Sequence, residues 1–119
     1  MTYLTTDKVA VMGAAGAVGS NLVQALLATG TANTIAMYDP FEKGLEGAAE
    51  EIYHCAFPDA HVTWTTDAAG ALADAAYVLS SGGAPRREGM TREDLLRGNA
   101  EIAAQLGRDI KANAPDARL

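Results

Sequence analysis

The chain has 119 residues, enough for one domain with a real core, and 49% hydrophobic with 20% charged residues is ordinary globular composition that excludes a disordered chain. A net charge of -6 supplies no basic field to draw in phosphates, which excludes a nucleic-acid or anionic-membrane partner as the expectation. The single cysteine, Cys55, leaves no internal disulfide. With no apolar run near the ~20 residues that span a bilayer and no secretory pattern at the start, the expected location is cytoplasmic.

Lys8–Met12 is a short apolar run that reads as a buried parallel strand. From Ala17 the period becomes helical, with Val18, Leu22, Ala25, Leu26 and Thr29 recurring at helical spacing and Gly30 as the stop. Thr34–Tyr38 is the second strand, followed by Asp39 and Pro40. A helix from about Phe41 to Cys55 follows, with Leu45, Ala48, Ala49 and Ile52 on one side. His61–Thr65 is a third strand of β-rich composition, Asp67 to Ala75 a short alanine-rich helix, and Ala76–Ser80 a fourth strand. The last helix, about Arg92 to Asn113, is expected to turn Leu95, Leu96, Ile102, Leu106 and Ile110 inward, and Thr91 with Asp94 forms a capping pair at its start. Pro115–Leu119 reads as the approach to a fifth strand.

Strands alternating with helices predict right-handed crossovers and a doubly wound α/β parallel sheet of the Rossmann type, strand order 3-2-1-4. Residues 1–119 are expected to form one nucleotide-binding domain, with the rest of the sheet and a catalytic domain absent from the chain.

Between the first strand and the first helix lies Gly13-Ala14-Ala15-Gly16-Ala17-Val18-Gly19, where a dinucleotide pyrophosphate would dock. The physical demand is for small residues that let backbone amides approach phosphate oxygens at a helix N-terminus. A triple-glycine turn alone is a weak signal, since tight strand–helix packing also uses glycine; the strand–turn–helix setting strengthens it. Asp39 ends the second strand, where a carboxylate accepts from the adenosine ribose hydroxyls and repels a 2'-phosphate, so the expected cofactor is NAD rather than NADP. A turn aspartate before Pro40 is the other reading of that residue, and Lys43 could offset the repulsion.

The segment Gly82–Leu96 carries arginines at 86, 87 and 92 in a glycine-bounded loop that feeds a helix. Planar guanidinium groups bind carboxylates through paired charge-assisted hydrogen bonds, so two of them suit a small dianion, one clamping a carboxylate and the other polarising a carbonyl. An arginine-rich loop on its own is more often a solvated surface. No metal site is expected.

With these features in order, the chain resembles the N-terminal, NAD-binding half of a malate dehydrogenase, most specifically through Gly-Ala-Pro-Arg-Arg-Glu-Gly-Met-Thr-Arg-Glu-Asp-Leu at positions 83–95. The resemblance runs from Lys8 to Leu119 and implies reversible NAD-linked oxidation of malate to oxaloacetate. It implies that Arg86 binds the distal carboxylate, that Arg92 binds substrate from a mobile loop and polarises the carbonyl as hydride arrives, and that Asn99, Gly82 and Gly83 lie beside the cofactor. Arg87 is expected to be solvated. The resemblance also implies a homo-oligomeric parent enzyme, with the helix around Gly47–His54 in its interface. Glu51 departs from the family's usual aspartate there, which bears on subunit pairing rather than chemistry.

Ketone reduction needs a proton donor, usually histidine. Only His54 and His61 are present, and topology puts both at the distant edge of the sheet, roughly 15 Å from the crevice at about 3.3 Å per strand residue. In the family the Asp-His pair follows beyond this chain's end, so these residues alone are expected to bind nucleotide weakly and not to turn over. Two alternatives stay open: a fragment of an extended short-chain reductase or epimerase, which shares the glycine spacing but lacks the arginine loop, and a noncatalytic NAD-binding regulatory domain.

Overall fold

The computed structural model describes residues 2–119. Strands β1 (Val9–Met12), β2 (Thr34–Tyr38), β3 (His61–Thr65) and β4 (Tyr77–Ser80) form one sheet in the order β3-β2-β1-β4, and every pair is parallel. Helices α1 (Ala17–Ala28), α2 (Glu42–His54), α3 (Ala68–Leu72) and α4 (Arg92–Asn113) return the chain between strands. The path winds from β1 outward to β3 and then crosses to β4 on β1's other side. The switch in direction therefore falls between β1 and β4, where Met12 is in register with Ser80. In open parallel sheets the crevice at the carboxyl ends of two such strands is where ligands bind.

β1 is buried at every position because both faces of the sheet are covered. Its side chains alternate with period two. Val9 and Val11 join Val23, Leu27, Ile35, Met37, Leu45 and Ile52 under α1 and α2. Ala10 and Met12 join Leu72, Ala75 and Val78 on the other face, with Leu106 and Ile110 of α4 packed against them. β3 is the sheet's outer strand beyond β2 and is accordingly wetter, with Trp64 40% exposed. At the opposite edge, Val78 N–H donates to the Arg118 carbonyl (2.8 Å) and Arg118 N–H to the Ala76 carbonyl (3.0 Å), so the chain does begin a fifth strand position alongside β4.

Neither α1 nor α4 buries its full apolar pattern. The buried stripe of α1 is Gly19, Val23 and Leu27, while Val18 is 64% exposed, Ala25 is exposed and Leu22 and Leu26 are half-buried at the rim. The helix closes on the glycine turn at Gly19, where an added Cβ would stand 2.1 Å from the Gly13 carbonyl oxygen, so the stripe begins on a residue without a side chain. In α4, Leu96 and Ile102 point to solvent at 71% and 42% exposure, and no residue of the helix is buried. Length explains this: 22 residues at 1.5 Å extend ~33 Å, against ~13 Å for the four residues of β4. Leu106 and Ile110, in the second half of α4, pack against the core beside α3, and the first half extends past the carboxyl edge.

Candidate functional site

The glycine turn is locked to the end of β2. Gly13 N–H and Ala14 N–H both donate to the Tyr38 carbonyl at 2.9 Å. Asp39 spans the gap beside them, its Oδ2 accepting from Ala15 N–H (3.1 Å) and its Oδ1 from Phe41 N–H (3.0 Å). The carboxylate and the turn, 24 residues apart in sequence, are thus one unit. Gly13 sits at φ +91, in the left-handed region that glycine adopts freely.

The first turn of α1 is left open. Its N-cap, Gly16, contributes no side-chain cap, the turn holds no acidic residue, and Gly16, Ala17 and Val18 are exposed. The first amides of a helix have no intrahelical acceptor, and together they form its positive end. A Cβ on Gly16 would meet only the Gly13 carbonyl oxygen at 3.5 Å, so the space above it is not filled by protein. Small residues, free amides and a bare helix end suit a dinucleotide pyrophosphate. On the other face of β2, burial and the nearby Asp109, Asp39 and Asp67 push the Tyr38 hydroxyl above its ordinary range, which keeps it neutral.

The arginine loop starts on the same edge. Ser81 N–H donates to the Met12 carbonyl (3.0 Å), and a Cβ on Gly13 would come 2.8 Å from the Gly82 nitrogen, so the two loops touch backbone to backbone. Further on, Arg86 Nε–H donates to the Met90 carbonyl (3.3 Å) and Arg87 N–H to Met90 Sδ (3.4 Å). Arg86 and Arg87 lie on the loop, whereas Arg92, expected there too, is the first residue of α4; all three are exposed, and among the described residues neither Arg86 nor Arg92 has an ion-pair partner. The ion pair in this region is Arg97 with Glu93, at 3.0 Å. Thr91 Oγ1 accepts from Asp94 N–H (3.0 Å) while Asp94 Oδ2 accepts from Thr91 N–H (3.1 Å), completing the expected capping box.

Asn99 is placed where sequence reasoning did not foresee. Its carboxamide grips the loop itself: Oδ1 accepts from Ala84 N–H at 2.7 Å and Nδ2 donates to the Ala84 carbonyl at 3.3 Å. Gly83 permits that approach, since a Cβ there would stand 3.3 Å from Asn99 Oδ1. The sequence signal for this pairing was slight, a glycine before Ala84 and an amide on the second turn of the helix.

His54 and His61 fall at the amino edge, as topology predicts. His61 opens β3 in register with Thr34, and His54 ends α2 with Nε2 3.8 Å from Glu50. Beside them a groove of about 570 Å³ lies between α2 and β3, lined by Ala49, Ile52, Tyr53, Phe57, Val62 and Trp64 among others, none of them from the glycine turn or arginine loop.

Residues 7–119 match the model of the lactate/malate dehydrogenase NAD-binding domain. Over 112 residues the chain is 35% identical to a chloroplastic malate dehydrogenase of Arabidopsis thaliana, covering 92% of this chain and 27% of that protein. It is 38% identical over 113 residues to an L-lactate dehydrogenase of Deinococcus radiodurans, covering 94% of this chain and 36% of that protein. The crystal structure of a malate dehydrogenase from Cryptosporidium parvum superposes with a TM-score of 0.79 at 27% identity, covering 95% of this chain and 36% of that one. The chain spans about a third of the length of these relatives.

Proposed function

Because the chain belongs to the lactate/malate dehydrogenase family and is its NAD-binding domain, we propose that it serves a malate dehydrogenase, interconverting malate and oxaloacetate with NAD as cofactor. The observation that carries the reading is the pair of unneutralised guanidinium groups, Arg86 on the loop rooted against the glycine turn and Arg92 at the first residue of the helix it feeds, in a chain of net charge -6.

Bound NAD supplies or accepts the hydride at the substrate's C2. The uncommitted amides at the start of α1, from Ala17 to Gly19, hold its pyrophosphate above the small residues of the turn, and Asp39, already oriented by Ala15 and Phe41, accepts from the adenosine ribose hydroxyls. Gly82 and Gly83 flank it with bare backbone. Arg86 clamps the carboxylate distal to the reacting carbon, and Arg92 draws charge from the carbonyl as it becomes an alkoxide. Loop closure over the diacid excludes water and strengthens both interactions. Proton transfer needs a group that this chain does not bring to the crevice, since both histidines stand at the other edge of the sheet. The domain acts with polypeptide that supplies that group, and alone it binds nucleotide without turnover.

Family membership sets aside the short-chain reductase alternative. Within the family, whole-chain identity favours neither substrate, with malate enzymes at 34–38% and a lactate enzyme at 38%. Charge at position 86 is the discriminator. Arg86 is exposed in the open loop, and closing it over a substrate that lacks the second carboxylate would bury a guanidinium without its anion, so the side chain that favours oxaloacetate also rejects pyruvate. In the complete subunit, Arg86→Gln is expected to lower the ratio of kcat/KM for oxaloacetate over pyruvate by on the order of 100-fold. An unchanged ratio would reject the malate assignment.

A further inference from the structure

We infer that Asn99 is a positioning residue for the substrate-binding Arg86: it anchors the root of the loop that carries it, so that Arg86 swings from a fixed point rather than from a slack tether. The inference rests on the reading of Arg86 as a carboxylate clamp.

The loop is held firmly at both ends and at neither point by its arginines. At its root, Gly82 is seated against Gly13, and Ala84 gives both of its backbone hydrogen-bonding groups to the Asn99 carboxamide. At its far end the Thr91–Asp94 capping box fixes the start of α4. Between them, the hydrogen bonds found for Pro85–Met90 are internal: Arg86 Nε and Arg87 N to Met90, and Met90 N–H to the Arg87 carbonyl at 3.1 Å. Gly89, at φ +83, supplies the backbone freedom in that stretch. Motion is thereby confined to a short arm between two fixed points.

Asn99 suits an anchor because its own base is stable. It lies in a helix whose start is doubly capped, one helical turn beyond Leu95, which is half-buried. A primary carboxamide matches both groups of a peptide unit, a donor for the carbonyl and an acceptor for the N–H, which no charged side chain does. The two bonds to Ala84 leave one Nδ2 proton and one Oδ1 lone pair, so the anchor can also face a bound cofactor.

The test reads local opening in this chain, with no substrate present. Asn99→Leu removes both bonds at similar volume. Tryptic cleavage after Arg86 and Arg87, followed by mass spectrometry, should accelerate about tenfold relative to the native chain, as the loss of two ordinary hydrogen bonds implies. Cleavage after Arg108 and Lys111, on the same helix, should not change. Asn99→Asp keeps the acceptor for Ala84 N–H and should fall between, with the Ala84 amide still protected from hydrogen exchange. Gly83→Ala places a Cβ 3.3 Å from Asn99 Oδ1 and should loosen the loop without altering α4, which keeps the test valid if Asn99→Leu fails to fold. Equal cleavage of native and variant loops would overturn the inference. So would an equal acceleration at Arg108 and Lys111, because that pattern reports a weakened helix and no anchor. The oxaloacetate-to-pyruvate ratio of Arg86→Gln is independent of this cleavage pattern, so failure of the dicarboxylate reading is seen separately.

Discussion

Helices α1 and α4 both begin at the carboxyl edge of the sheet, yet their first turns are finished in contrary ways. The start of α1 has a glycine N-cap with no side-chain bond and no acid in its first turn. The start of α4 has a reciprocal capping box and two acids, Glu93 and Asp94, in its first turn. A helix end carries roughly half a positive charge, which something must neutralise. In α4 the protein's own carboxylates do so. In α1 the end is left for an anion from outside, and an NAD-binding domain has one in the pyrophosphate. Packing differs in step with capping. The α1 stripe is driven into the core at Gly19, Val23 and Leu27, so the helix needs no cap to hold its place. α4 has no buried residue and overhangs the sheet, so it depends on local bonds.

The strongest way to break this contrast is at Gly19. A methyl group there would stand 2.1 Å from the Gly13 carbonyl oxygen and 2.9 Å from the Ala14 Cα, both backbone atoms that cannot step aside singly. Gly19→Ala should therefore cost about 3 kcal/mol of folding stability, the upper part of the overpacking range. Urea denaturation would reveal it, and a loss below the ordinary surface range would mean that α1 does not close on the turn as described.

Gly16→Ala, three residues away, should behave differently. Its Cβ would meet only one oxygen at 3.5 Å, and its backbone is already in the extended region, at φ -77 and ψ 165. Folding should weaken by less than about 1 kcal/mol, since alanine is merely a poorer N-cap than glycine. NADH affinity, followed by fluorescence titration, should drop about tenfold, or ~1.4 kcal/mol, because the methyl occupies the space a phosphate needs. Equal affinity in the two proteins would remove Gly16 from the phosphate site.

How far the sequence could be read follows from the same contrast. Strand order, the element positions and the capping box were legible, because each depends on local pattern, and the turn reading of Asp39 is seen in its bond from Phe41 N–H; its bond from Ala15 N–H, 24 residues away, was not legible. The buried stripe of α1 was not legible, because a pattern of large apolar side chains passes over Gly19, which approaches the turn closely for want of a side chain. Leu96 and Ile102 were wrongly expected inside, since periodicity reports which face is apolar and not whether a sheet lies beneath it. The grip of Asn99 on Ala84 joins residues 15 apart through a loop of irregular path, and no periodicity encodes such a bond.

The smallest expected effect probes the overhang directly. Gly98 lies in the first half of α4, and a Cβ added there would meet nothing within 4 Å. In an open helical position alanine is favoured over glycine, chiefly because the unfolded chain loses freedom, so Gly98→Ala should stabilise the domain by about 0.8 kcal/mol. A rise in the denaturation midpoint with unchanged slope would bear this out. A fall would mean that the first half of α4 packs closely on something in solution. The exposed Leu96 and Ile102 would then belong to a covered face, and the contrast between a packed α1 and a self-supporting α4 would have to be given up.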